Sequence, residues 1–189
     1  MRVLFFILAL IVGAASGLGL TFVMSGRENG FGAVQVNAWR AWPRSGTVDA
    51  DPYARASFAR SGELPVGLSE GIVFVATTDD RGRAIDGRCV TKIVGKLLPA
   101  RFWTLTIYDG RGRLIENPAA RYGFTNAEAV FSPAGDLEVW LAPRVHSGNW
   151  LPTGESERIV AVFRLYDTPP GIARNEGAEM PRIIRENCP

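Results

Sequence analysis

Residues 101–122 read RFWTLTIYDGRGRLIENPAARY, and the parsing of this stretch decides the fold. Side chains alternate from Phe102 to Tyr108. Trp103, Leu105 and Ile107 fall on one face, with Phe102, Thr104, Thr106 and Tyr108 on the other. A period of two over a β-branched and aromatic run marks a half-buried strand. Asp109-Gly110-Arg111-Gly112-Arg113 supplies a tight turn, and Leu114 starts the return strand. Beyond it lies a polar knot, Asn117-Pro118 followed by Arg121-Tyr122.

The same pattern recurs on both sides. Glu70 to Thr78 is an apolar β-branched run, Asp79-Asp80-Arg81-Gly82-Arg83 a turn resembling the one at Asp109, and Ala84 to Gly95 a strand containing Cys89. Ser132-Pro133-Ala134-Gly135-Asp136 is a third turn, between Ala129–Phe131 and Leu137–Leu141, and Arg158 to Tyr166 is the last strand. Short strands with glycine-bearing turns predict a mainly β protein, an antiparallel, jelly-roll-like β-sandwich. Upstream, Val34 to Trp42 reads as a helix ended by Pro43. A second short helix is signalled by Asp51 as N-cap, Pro52 at the first helical position and Gly62 as the stop. The chain therefore divides into residues 1–26, 27–63 with a Gly-rich linker from Ser25 to Gly32 and the short helices, and 64–189 as the sandwich.

The N-terminus sets the expected compartment. No charge occurs between Val3 and Met24. As a helix rising about 1.5 Å per residue, those residues reach roughly 33 Å, enough for a hydrocarbon core of about 30 Å. A cleaved signal peptide is the rival reading, with Ala15 and Gly17 as small residues, but the apolar run continues through Leu18, Leu20, Phe22, Val23 and Met24. The expectation is a single-pass inner-membrane anchor at residues 3–24 with the body in the periplasm, because Arg2 stays cytoplasmic while Glu28 offsets Arg27. There Cys89 and Cys188, the only cysteines, would form one disulfide.

Composition excludes several functions. The 21 basic and 19 acidic side chains leave a net charge of +2, too balanced for a nucleic-acid partner. With His146 as the sole histidine, a multi-histidine metal site is impossible, and the spacing of Cys89, Cys188 and His146 does not suggest zinc. No metal and no cofactor are expected. DGRGR lacks the strand–Gly-loop–helix context of a phosphate cradle, and no G-x-S-x-G elbow accompanies His146.

The remaining candidates are polar residues at strand ends. Asp109 and Glu116 are weak candidates for the paired acids of a hydrolase. Asn117, before a proline, is held in an extended or turn conformation, and Arg121 beside Tyr122 offers a five-donor cation. Asn149 and Trp150 repeat the theme before Pro152, and Trp103 is either core or a stacking face. Arg164, in the last strand, reads as half-buried, with Asp109 or Glu116 as its expected partner. These residues are either ties that close the end of the sandwich or a ligand site.

With FWTLTIYD, the Asn117-Pro118…Arg121-Tyr122 knot, SPAGDLEVWL, Asn149-Trp150-Leu151-Pro152 and Arg164-Leu165-Tyr166 in this order, residues from about Leu64 to Tyr166 resemble the domain-of-unknown-function 1214 family. That resemblance implies a β-sandwich in a bacterial envelope protein, often accompanied by a second domain of unknown function, number 1254. Here an anchor stands in place of that companion, as in a short stand-alone form. The matching positions are Trp103, Asn117, Arg121, Asn149, Trp150 and Arg164. The family implies no activity. The expectation is a non-enzymatic envelope module that docks with a separate companion domain. The alternative is a hydrolase or binding protein for an anionic or sugar-like envelope ligand.

Overall fold

The computed structural model describes residues 2–25, 32–62, 64–169 and 179–189. Apart from its two ends, the linker expected from Ser25 to Gly32 lies outside them. Helix α1 spans Arg2–Ser25, and its apolar stretch is long enough to cross a membrane. Two sheets follow. One has the order β1 (Val34–Val36), β2 (Trp39–Ala41), β3 (Gly71–Ala76), β9 (Ile159–Tyr166), β5 (Phe102–Asp109) and β6 (Gly123–Thr125). The other runs β10 (Arg182–Asn187), β4 (Val90–Gly95), β7 (Leu137–Ala142) and β8 (Asn149–Pro152).

The core lies between the sheets because each strand turns its apolar alternate residues inward. Ile72, Phe74, Trp103, Leu105, Ile107, Phe163 and Leu165 from the first sheet meet Ile93, Leu137, Val139, Leu141, Leu151 and Ile183 from the second. Trp103 is 4% exposed and meets Phe163 and Phe131 edge to face, so it is a core residue and presents no stacking face. The sandwich is mainly antiparallel as the strand pattern predicts, with one exception. β8 pairs parallel with β7, from Val139 opposite Asn149 to Ala142 opposite Pro152.

Helix α2 (Pro52–Ser61) forms where the sequence signals it. The Asp51 carboxylate accepts from the N–H groups of Tyr53 and Ala54, and Gly62 closes the helix at φ 72°. Three other expectations are corrected. Val34 to Trp42 is a hairpin: Asn37 adopts φ 54°, and β2 pairs with β3. Its inward residues Trp39 and Ala41 are fully buried, and the Trp39 indole donates to the Pro181 carbonyl at 2.6 Å. The period of two in VQVNAWRA, sealed by that pairing, overrides any helical tendency. Cys89 precedes its strand. An Asp86–Cys89 turn delays β4 to Val90, with the Asp86 carboxylate accepting from the Arg88 N–H. Leu114 forms only an isolated bridge to Tyr108, so the strand returning beside β5 is β6.

Cys89, buried, and Cys188, exposed, form a disulfide across a sequence separation of 99. It fastens the end of β10, which crosses back to pair with β4. An apolar N-terminal helix beside a disulfide-bonded body fits an anchor or signal leading out of a reducing compartment.

Candidate functional site

The polar knot at residues 117–122 is a tie. Asn117 donates to the carbonyls of Ile115 and Arg121, both at 2.9 Å, and accepts the Arg121 N–H at 3.1 Å. One amide thus stitches the corner shut, and Ala120 takes φ 50° within it. The Arg121 side chain is exposed and lies over the Phe124 ring, 5.2 Å from its centroid. Tyr122 contributes its carbonyl to the N–H of Ile107.

Asn149 is a second tie, buried and saturated. It accepts from Val130 N–H and donates to the carbonyls of Val130 and Glu138. The Trp150 indole donates to Ala142 at 3.0 Å. Asp109 is occupied as well. Its carboxylate takes the N–H groups of Arg111 and Arg113 and pairs with the Arg113 guanidinium at 2.9 Å. The Arg113 N–H, aided by these other donors, holds its pKa below the ordinary 3.8. A carboxyl so committed is a poor proton donor near neutrality. Glu116 is exposed beside the knot.

Arg164 belongs elsewhere, and its expected pairing with Asp109 or Glu116 is not made. Alternation explains why. On β5, Asp109 falls in phase with the inward Trp103, Leu105 and Ile107, whereas Tyr108 shares the outward face with Arg164. The guanidinium therefore meets the Tyr108 hydroxyl at 3.3 Å and lies 5.8 Å from its ring centroid.

This outward face is the floor of a cleft of about 730 Å³. Val73 and Val75 of β3 and Val160 and Val162 of β9 make the floor apolar, with Arg164 and Tyr108 at one side. Phe58 and Ser57 of α2, with Trp42 and Pro43, form a wall, and Arg111 of the DGRGR turn stands at the rim. Among the described residues no acidic side chain lines the cleft and Arg164 has no acidic partner. The Trp42 indole N–H is buried with no hydrogen-bond acceptor among the described residues.

Of the sequence candidates, the fold gathers Asn117, Arg121 and Tyr122 at one corner and sends Arg164 to the cleft. Trp42, Tyr108 and α2 were not foreseen as site elements. One signal was available: an outward row of valines in β3 and β9 must be covered by something.

The family model described as "Protein of unknown function (DUF1214)" matches residues 70–170. The crystal structure of the VPA0106 protein from Vibrio parahaemolyticus is similar in fold, with a TM-score of 0.60 at 20% identity. The similarity covers 73% of this chain and 36% of the Vibrio chain. An uncharacterised protein from Burkholderia cenocepacia aligns over 64% of this chain and 30% of its own, at 15% identity and a TM-score of 0.44. The chain thus spans about a third of the length of each solved structure it resembles. Among curated proteins, none matches it.

Proposed function

We propose that this chain, which belongs to the DUF1214 family of unknown function, is an exported, membrane-anchored module that works by binding, with the Arg164 cleft as its binding site. The observation that carries this reading is a cation without an acidic partner among the described residues, set against Tyr108 at the side of an apolar cleft. An apolar cleft with a few convergent polar groups is the usual form of a small-molecule site. A binding role is favoured over hydrolysis because Asp109 is committed to its own turn and Asn117 and Asn149 to internal ties. In this reading α1 stays in the inner membrane and the sandwich faces the periplasm, where the Cys89–Cys188 bridge persists.

The test compares wild type with Arg164→Ala, each purified as the full chain from gently solubilised envelopes, by native mass spectrometry. A small molecule carried by wild type and lost from a folded variant supports the site. Identical profiles would sink it. A second reading, docking with a separate companion domain, is favoured by the Vibrio protein, of which this chain covers only 36%. A stoichiometric protein partner recovered equally with wild type and Arg164→Ala would replace the cleft reading by that one.

A further inference from the structure

Resting on the cleft as the binding site, we infer that its occupant is an amphipathic anion: one carboxylate or phosphate carrying an apolar chain. Three observations specify this chemistry. Among the described residues the charge of the cleft is of one sign, since Arg164 and Arg111 line it and no described acid does. A guanidinium held against a phenol still presents edge N–H groups, and these grip a carboxylate or phosphate better than any neutral group. The Tyr108 hydroxyl, which accepts from Arg164, keeps its own O–H to donate on the same cleft.

Ser45, Ser57 and Thr77 add hydroxyls to the lining, but the floor is unlike a sugar site. Val73, Val75, Val160 and Val162 form an aliphatic floor, with Phe58, Pro43 and Leu64 around it. A polyhydroxylated ring would lose water there without recovering its hydrogen bonds. A hydrocarbon chain loses nothing and gains burial. The volume of about 730 Å³ lies within the range of small-molecule sites, about 300–1,000 Å³. The wall helix α2 is also the element that α1 touches, which brings the cleft close to the anchor and to the bilayer as a source of such molecules.

The experiment uses the full chain in phosphatidylcholine nanodiscs, titrated with octanoate, octyl phosphate, octanol, acetate and inorganic phosphate, and read by calorimetry. Wild type should bind octanoate and octyl phosphate saturably, octanol at least about tenfold more weakly, and acetate and inorganic phosphate without saturation. Arg164→Gln should weaken both anions at least about tenfold while leaving octanol unchanged. Trp42→Phe, which keeps an aromatic wall and leaves both arginines, should weaken them less than Arg164→Gln does. Thermal melts of both variants show that they are folded.

Adding lysophosphatidate to the discs separates the sources. Displacement of octanoate assigns the occupant to the bilayer, and undisturbed binding assigns it to solution. Octanol binding as tightly as octanoate, or Arg164→Gln binding both anions like wild type, would overturn the inference. If no amphiphile binds but a co-purified molecule still disappears in Arg164→Ala, the ligand class is wrong and the site stands. If neither occurs, both readings fall.

Discussion

The turns at Asp79 and Asp109 are the same device in different surroundings. Each closes a hairpin across six residues, Thr78 to Ala84 and Tyr108 to Leu114. In each the Asp N–H donates to the carbonyl of the second arginine at 2.8 Å, and a glycine at φ 79° or 75° passes its N–H back to the Asp carbonyl. Both carboxylates collect two backbone N–H groups and an arginine four residues on. The Ser132 turn repeats the frame without the charge: Phe131 bridges Leu137, Gly135 takes φ 81°, and the serine hydroxyl accepts the Asp136 N–H.

What separates the first two is β10. The Asp79 side chain is 2% exposed and lies 4.0 Å from Arg185 of β10, whereas the Asp109 side chain is 19% exposed and faces only its own loop. Around Asp79, Arg182 of β10 also pairs with Asp80 at 3.0 Å, the Asp80 N–H donates to Ile183, and Arg185 donates to the Ala84 carbonyl. Identical local chemistry becomes a tertiary anchor in one place and stays a surface turn in the other.

Breaking the source of that difference should have the largest effect. Replacing both Cys89 and Cys188 by serine releases the end of β10 and should cost about 2–5 kcal/mol in chemical denaturation. It should also increase hydrogen exchange in the Asp79 turn while sparing the Asp109 turn. Next comes Asp79→Ala, which strips a buried carboxylate from two arginines. We expect a loss of about 2–3 kcal/mol, reduced from the fully buried case because Arg83 reaches solvent. A loss no greater than that of Asp109→Ala would refute the assigned role of β10.

Acid unfolding sharpens the same contrast. Burial pushes the Asp79 carboxyl up, but the Arg83 side chain and the N–H groups of Arg83 and Arg81 outweigh it and hold the pKa below 3.8. A carboxyl depressed by folding adds stability that is fully present above its unfolded value. That stability is lost as pH falls from about 4 through the folded value. Melting temperature should therefore drop below pH about 4, and Asp79→Asn should flatten that limb more than Asp109→Asn does. An equal flattening would show that the buried and exposed turns titrate alike. The smallest effect belongs to Ser132→Ala, about 0.5–1 kcal/mol for one exposed hydrogen bond, below Asp109→Ala in the same melts.

Much of this was legible in the chain because it is local. Three glycine-bearing turns, the Asp51 and Gly62 caps, the apolar N-terminal helix and the inward face of β5 follow from short-range sterics and alternation, which each segment carries in its own residues. The Val34–Trp42 segment was not legible, since its hairpin is decided by pairing with β3 and by burial of Trp39. Nor were the roles of the polar candidates. Asn117 closes its corner within five residues, but Asn149 acts on Val130, 19 residues away.

Residue order alone specified a β-rich body behind an apolar helix, its turns, and two cysteines able to join. What the polar groups outside the turns face was settled by long-range packing. It carried Arg164 to Tyr108 across 56 residues of chain, and it also set Asp79 beside Arg185 of β10. It brought Trp42 and α2 over the outward valines of β3 and β9. Turns are set by neighbours a few residues away, whereas a cleft exists only once distant strands have paired and a helix has packed across them.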